Sequence, residues 1–278
     1  MIFSKFTSGL FATLIIFCLS ANLDAAEKNR GLEAKSAVLM NMTTGRILYA
    51  RSADDQIPPA SITKVLTLYI VDEAIREGRV HPRDTVKISR KAGQTGGSKM
   101  FVQAGSQIPL GELLKGVAVV SANDAAVAVA EHIGGNVERF VERMNQKARE
   151  LGMTSSTFRN PNGLPAQGQV TTARDMLILA HDYLVRFPES LDIHSLQQFT
   201  YRNITQHNRN ALLWSYPNAD GLKTGWIVKS GYHLIATAKR WDNRLIAVVM
   251  GARNPTLRNR EAEWLLDEGF RLVREHRG

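Results

Sequence analysis

An α/β (α+β) chain is predicted, with one antiparallel sheet flanked by helices. Three observations carry this expectation. Two apolar runs near the start, Ser36–Met40 and Arg46–Ala50, flank a glycine-containing turn. Three β-rich segments lie near the end, within Leu222–Val228, Gly231–Lys239 and Arg244–Gly251. Between them the periodicity is helical. A sheet assembled from both chain ends follows, with an all-helical subdomain inserted over roughly residues 80–190. The chain has 278 residues, 44% hydrophobic and 22% charged, which is ordinary globular composition with enough apolar material for a core.

The elements follow in order. Met1–Ser8 carries one cation, Lys5; Gly9–Leu19 is almost wholly apolar; small residues follow over Ser20–Ala26. This is the layout of a secretory signal peptide, predicted over 1–25, with an apolar stretch too short to span a bilayer. Export into the periplasm or cell-wall space is expected, leaving 26–278 as the working domain. The only cysteine, Cys18, lies inside the signal, so neither a disulfide nor a thiol nucleophile is expected in the exported chain.

A loop over Asp54–Pro59 feeds a buried helix from Ser61 to Arg76, with Gly78 as its stop. Lys87–Lys99 is polar and glycine-rich and reads as a surface loop. Leu110–Val120 and Ala125–Ile133 read as two buried helices meeting at Ser121-Ala122-Asn123. Val137–Leu151 is an amphipathic helix. Asn160-Pro161-Asn162-Gly163 marks a turn within a long loop. A helix capped by Thr171 or Thr172 runs to Phe187, with Arg174 and Asp175 in capping and structural roles. Tyr201–Ala211 reads as polar and irregular. The three β-rich segments form a meander, and Arg260–Arg274 closes the chain as an amphipathic helix.

The formal charge of +9 suits an anionic partner, but the basic residues are dispersed. No zinc spacing, RNA-binding run or basic-region helix accompanies them, so no nucleic acid is expected. The seven histidines lack metal-ligand spacing, so no metal or cofactor is expected and they read as surface or satisfied residues.

Three short motifs stand in line: Ser61-x-x-Lys64, Ser121-x-Asn123 and Lys223-Thr224-Gly225. Each is weak alone. Ser20-Ala21-Asn22 also matches the second, inside the signal. Together they fall in distinct contexts: a helix entrance, a turn between helices and a strand. Residues three apart on a helix are neighbours, so the Ser61 hydroxyl and Lys64 ammonium meet by backbone geometry. A neutral lysine activates such a hydroxyl.

With these motifs the sequence resembles the low-molecular-mass penicillin-binding proteins, the serine D-alanyl-D-alanine carboxypeptidases. The resemblance covers nearly the whole exported chain. It includes Gly97–Phe101, Ser121–Ala125, Thr172–Met176 and Asp220–Gly225. It implies the penicillin-binding, β-lactamase-like transpeptidase fold. Ser61 would form an acyl-enzyme after attacking the carbonyl between two D-alanines of a peptidoglycan stem peptide. Lys64 would be the base, its pKa lowered by burial and by Lys223. Ser121 would relay a proton to the leaving nitrogen. Asn123 would hold the substrate backbone, and Lys223 and Thr224 its terminal carboxylate. Gly225 would admit the peptide close to the strand. The backbone N–H groups of Ser61 and Trp226 would form the oxyanion hole. β-Lactams would be covalent inhibitors.

Three other readings stand beside this one. A β-lactamase of the related class uses a Glu on the loop here spanning Ser155–Thr172, which holds no acid, so slow release of penicillin is expected. The motifs do not separate a carboxypeptidase from a D,D-endopeptidase. Many family carboxypeptidases add a β-rich domain and an amphipathic membrane helix, whereas this sequence stops at Gly278. No stable membrane anchor is therefore expected after signal cleavage, which favours the endopeptidase more than the motifs do. A non-catalytic binder is opposed by the intact Ser61, Lys64 and Lys223. The family's usual Thr two positions after Lys-Thr-Gly is Ile227 here.

Overall fold

The computed structural model describes residues 32–275, and the predicted signal peptide lies outside them. The elements below fall in one unit that begins at Ala34. Ser36–Asn41 (β1) and Arg46–Arg51 (β2) pair antiparallel around Gly45, whose φ of +72° is a left-handed conformation that glycine adopts without the Cβ penalty. A 3₁₀ turn, Ala60–Thr63, leads into α1 (Lys64–Arg76). The insertion holds β3 (Thr85–Lys87), α2 (Arg90–Gln94), β4 (Gln107–Pro109) and α3 (Leu110–Lys115). It continues through α4 (Asn123–Gly134), α5 (Val137–Glu150) and α6 (Ala173–Arg186). Then come α7 (Leu191–His194), β5 (Gln198–Tyr201), β6 (Ile204–His207) and α8 (Leu212–Ser215). The meander is β7 (Ala219–Ile227), β8 (Gly231–Arg240) and β9 (Asn243–Ala252), and α9 (Pro255–Glu275) follows.

The main sheet runs β2-β1-β9-β8-β7, all neighbours antiparallel, so both chain ends do build it. Its two faces follow the period of two along each strand. Ile246, Val248 and Met250 join the core shared with the helical insertion, while Leu245 faces α9. At Gly269 of α9 an added Cβ would stand 2.7 Å from Leu245 and 2.8 Å from Leu39, so the missing side chain lets the helix lie close on the sheet. β7 is an edge strand, and it is this edge that carries Lys223-Thr224-Gly225.

α1 is buried on nearly every side: Val65, Leu66, Leu68, Tyr69, Ile70 and Val71 are all inside. A helix apolar all round belongs in the core. Each such side chain contributes about 1.5–3 kcal/mol by leaving water, so the helix entrance is a rigid mount.

Three expectations need correction. The insertion is not all-helical, because β3 and β4 pair within it. Only Val86 and Ile108 are buried there, each between exposed neighbours, and three-residue strands are too short to show a period. Lys87–Lys99 is not simply a surface loop. Ser89 caps α2 by accepting from the Ala92 N–H at 2.9 Å, and the glycines beyond it reach the site. Tyr201–Ala211 is not irregular: β5 and β6 form a hairpin turning at Arg202-Asn203, both left-handed (φ 48° and 63°). That is the backbone of a tight two-residue hairpin turn, which Asn tolerates. The pattern was weak because Phe199 alone of the hairpin is buried.

Candidate active site

The entrance of α1 sets the geometry. Ala60, just before Ser61, takes a left-handed φ of 49°, a conformation that costs an alanine about 1–3 kcal/mol and persists only where packing imposes it. Packing does so from two sides. An added Cβ on Gly163 would overlap the Ala60 carbonyl, and one on Gly225 would stand 3.1 Å from the Ser61 nitrogen. Gly225 thus admits the serine turn itself to the edge of β7, a close approach the sequence assigned to substrate.

Lys64 is fully buried, and its Nζ has three acceptors: Ser61 Oγ at 2.8 Å, Asn123 Oδ1 at 2.7 Å and the Asn162 carbonyl at 2.6 Å. Burial drives its pKa well below 10.5, with the charge of Lys223 acting in the same direction and Asp124 against them. A neutral amine keeps two N–H bonds and one lone pair. With Asn123 and Asn162 taking the two hydrogens, the lone pair is left for the Ser61 O–H. The arrangement can therefore hold a serine ready for deprotonation.

Asn123 is itself oriented. Its Nδ2 donates to the Gly96 carbonyl at 2.8 Å, and its backbone N–H donates to the Ser98 carbonyl at 2.7 Å. Gly97, at φ +79°, leaves no room for a Cβ against Asn123 Nδ2. Asp124, buried beside it, accepts from the Met100 and Val102 N–H groups at 3.1 Å each. The 96–102 stretch is one wall of the cleft, held there by these two residues. Asn123 is the first residue of α4 rather than its cap.

Ser121 ends the π-helical turn Gly116–Val120 in a left-handed conformation, φ 63°. It is nearly buried, but among the described residues its hydroxyl makes no hydrogen bond with Lys64; Asn123 Oδ1 takes that place.

Lys223 is buried in β7 and donates to the Thr224 carbonyl at 3.0 Å. Burial, then the charges of Arg258 and Arg209, bring its pKa down to about 7. An incoming carboxylate would reverse this and hold the ammonium charged. Arg209 was missed in the sequence. It stands exposed in a turn pinned on both sides: Asn208 Nδ2 donates to the Leu196 carbonyl at 2.9 Å and Asn210 Nδ2 to the Gly221 carbonyl at 2.9 Å. The run Asn208-Arg209-Asn210 was the available signal, a cation between two turn-forming amides.

The expectation that the histidines are surface or satisfied holds for His233 but not for His132 and His194, whose Nε2 atoms are buried without a partner among the described residues; His233 also positions the serine loop. The Gly251 N–H donates to Nδ1 at 2.9 Å, which leaves the hydrogen on Nε2, facing the Pro58 carbonyl at 3.1 Å and Ser230 Oγ at 2.9 Å. Burial lowers its pKa to about 4, so the ring is neutral. Arg174 and Asp175 are structural: Arg174 grips Asp54 through Nε at 2.6 Å and Nη2 at 2.9 Å, and Asp175 accepts from the Ser155 N–H and Ser156 hydroxyl.

The hollow beside Ser61 holds about 510 Å³, with Asn123, Gly163, Leu164 and Trp226 in its walls. Trp226 is 52% exposed and its ring lies 5.7 Å from that of Tyr232. Among the described residues, no group of three His, Cys, Asp or Glu stands together as a metal site.

Fold and site together place the molecule in the class of penicillin-binding proteins. Penicillin binding protein 5 from Haemophilus influenzae superposes with a TM-score of 0.84 at 42% identity, covering 86% of this chain and 71% of that one. The chain belongs to the D-alanyl-D-alanine carboxypeptidase family, serine peptidases whose family model matches residues 23–254. D-alanyl-D-alanine carboxypeptidase DacC of Escherichia coli (strain K12) is 39% identical over 281 residues, 97% of this chain and 70% of the relative. The chain spans about two thirds of such relatives: DacF of Bacillus subtilis (strain 168), also 39% identical, is covered over 64% of its length and 88% of this chain. A D-alanyl-D-alanine endopeptidase of Pseudomonas aeruginosa is more distant, at 31% over 73% of the chain and 66% of its own length.

Proposed function

We propose that this chain is a serine-type D-Ala-D-Ala carboxypeptidase that removes the terminal D-alanine from peptidoglycan stem pentapeptides. The single observation that carries this is the 2.8 Å contact of Lys64 Nζ with Ser61 Oγ, in a buried pocket that satisfies the other two positions on the amine. Ser61 Oγ attacks the penultimate carbonyl carbon as Lys64 takes its proton. The backbone N–H groups of Ser61 and Trp226 meet the developing oxyanion. Lys64 returns the proton to the departing D-alanine nitrogen; a relay through Ser121 would need its hydroxyl to turn toward Lys64. Water then cleaves the ester and frees Ser61. Asn123 holds the substrate amide. Lys223 and Thr224, with Arg209 nearby, receive the free carboxylate, and β7 offers its unpaired edge to the peptide backbone.

The carboxypeptidase is favoured over the D,D-endopeptidase by the more similar relatives. A pentapeptide and a cross-linked dimer assayed side by side decide between them, with faster release of D-alanine from the pentapeptide expected. β-Lactams are read as covalent inhibitors that leave slowly. The loop over 155–172 carries no acid, and Asp175 just beyond it is engaged by Ser155 and Ser156. Labelling by a fluorescent penicillin, absent in Ser61→Ala, is the primary test; an unlabelled wild-type protein rejects the enzyme reading. Rapid steady-state turnover of penicillin would instead show a β-lactamase. The signal over 1–25 supports export and a periplasmic site of action. Among the described residues no helix is long and apolar enough to cross a membrane.

A further inference from the structure

The hollow beside Ser61 is not the whole cleft. A second hollow of about 410 Å³ lies against Pro58, Gln167 and Val170, and the two share Pro165, Ile227 and Lys229. A ligand that extends from Ser61 into the second hollow must pass Ile227 and Lys229. Among the described residues, no acidic residue lines either hollow, and Lys229 is the one charged residue lining both. Its side chain is exposed and has no ion-pair partner among the described residues.

The direction of β7 says which part of the substrate passes there. Gly225 abuts the Ser61 turn and so marks the scissile carbonyl. Lys223 and Thr224, upstream of it, face the leaving D-alanine. A peptide added antiparallel to the strand sends its acyl portion the other way, past Ile227 and Lys229. The two strand steps from Gly225 to Ile227 span about 7 Å, and the turn that follows carries Lys229 further out, beside the residue that precedes the penultimate D-alanine and its extended side chain. Ile227 continues the period of two from Gly225 and supplies an apolar wall. Lys229, in the turn after it, supplies a cation on a flexible four-carbon stem.

We infer that Lys229 is a specificity determinant on the acyl side. It selects stem peptides in which the residue before the penultimate D-alanine bears an aliphatic side chain ending in a free carboxylate. Ile227 takes the methylenes and Lys229 the charge. This rests on the carboxypeptidase reading above and goes further in naming the chemistry of the third stem residue.

The test uses two acetylated tripeptides, acetyl-L-2-aminopimelyl-D-Ala-D-Ala and its side-chain carboxamide, which differ only in one charge. The expected ratio of kcat/KM, acid over amide, is about 5 in the wild-type protein at low salt, the scale of an exposed ion pair. It falls as salt is raised. Lys229→Gln brings the ratio to about 1, and Lys229→Glu inverts it. A purely structural role for Lys229 would change both peptides alike and leave the ratio and its salt dependence intact. Hydrolysis of both peptides with a wild-type ratio near 1, or a ratio unchanged in Lys229→Gln, overturns the inference and leaves the carboxypeptidase reading standing. Loss of both hydrolysis and penicillin labelling in the wild type overturns both.

Discussion

Lys64 Nζ lies 2.6 Å from the backbone carbonyl of Asn162, a residue 98 positions further along the chain. That contact, with Asn123 Oδ1 at 2.7 Å, takes up two of the three directions on the amine and points the third at Ser61. A serine and a lysine one helical turn apart are common. A lysine held this way, in a site that also suppresses its charge, is a base.

Lys64→Arg should abolish function without unfolding the protein. A guanidinium stays charged at any working pH, so it cannot take the Ser61 proton. General bases contribute about 10²–10⁴-fold, and the second-order rate of penicillin acylation should fall by that order. Near-wild-type acylation in a folded Lys64→Arg protein would remove Lys64 from the mechanism.

The pH profile should show both lysines. Lys64 works as the neutral amine, so its depressed pKa brings activity in below the usual lysine range as pH rises. Lys223 binds carboxylate as the cation and titrates near 7 in the free protein. Above that pH the free site loses its charge, so kcat/KM for a peptide with a free C-terminal carboxylate should fall. Bound carboxylate raises the pKa of Lys223, so kcat should hold to higher pH than kcat/KM. Lys223→Arg should move the falling limb up. A limb unmoved in that variant argues that another group titrates.

Gly163→Ala tests the support beneath Ala60. The added methyl overlaps the Ala60 carbonyl, at a φ of +80° that already disfavours alanine. Overpacking of this kind costs about 1–3 kcal/mol, read as a lower Tm. Penicillin acylation should drop more steeply, because the same shift moves Ser61 and the Asn162 carbonyl together. Asn160→Ala, which loses the bonds to the Gly163 N–H at 2.7 Å and the Leu164 carbonyl at 2.9 Å, should act in the same direction but less.

Acid should loosen the serine loop through His233. Its folded pKa of about 4 lies below the ordinary 6.5, so the unfolded chain binds the proton first. Stability present above pH 6.5 is lost as pH falls from there toward 4, by about 3 kcal/mol in all from a shift of this size. His233→Asn should be less stable at pH 7.5 yet lose less between pH 7.5 and 5, measured by urea denaturation. His194 contributes in the same window and below it, its pKa lowered to about 3 by burial, so some acid sensitivity remains. An unchanged pH dependence in His233→Asn would refute the role given to this ring.

The sheet, the central helix and the three motifs were legible because each has a short-range signature. The strands alternate or run apolar between turns, α1 carries apolar residues on nearly every side, and Ser61 and Lys64 are placed by one helical turn. The β3–β4 and β5–β6 pairs were not legible, since three- or four-residue strands with at most one buried side chain apiece leave no period to read. The sequence marked Gly97 as part of a polar segment that carries the resemblance and Gly163 as the end of a turn, with no sign of what either packs against. What makes them part of the site is the atom across from them, Asn123 Nδ2 in one case and the Ala60 carbonyl in the other.

By itself the sequence determined the kind of chemistry: a hydroxyl beside an amine at a helix entrance, with an amide and a second lysine in reserve. Tertiary structure decided how that chemistry is held. It brought Asn123 Oδ1 to Lys64 in place of Ser121, added the Asn162 carbonyl, buried both lysines and set the charge of Arg209 beside Lys223. The physical reason is range. Helical and strand neighbours are fixed by local backbone geometry, whereas burial, charge proximity and the path of a cleft past Ile227 and Lys229 depend on segments far apart in the chain.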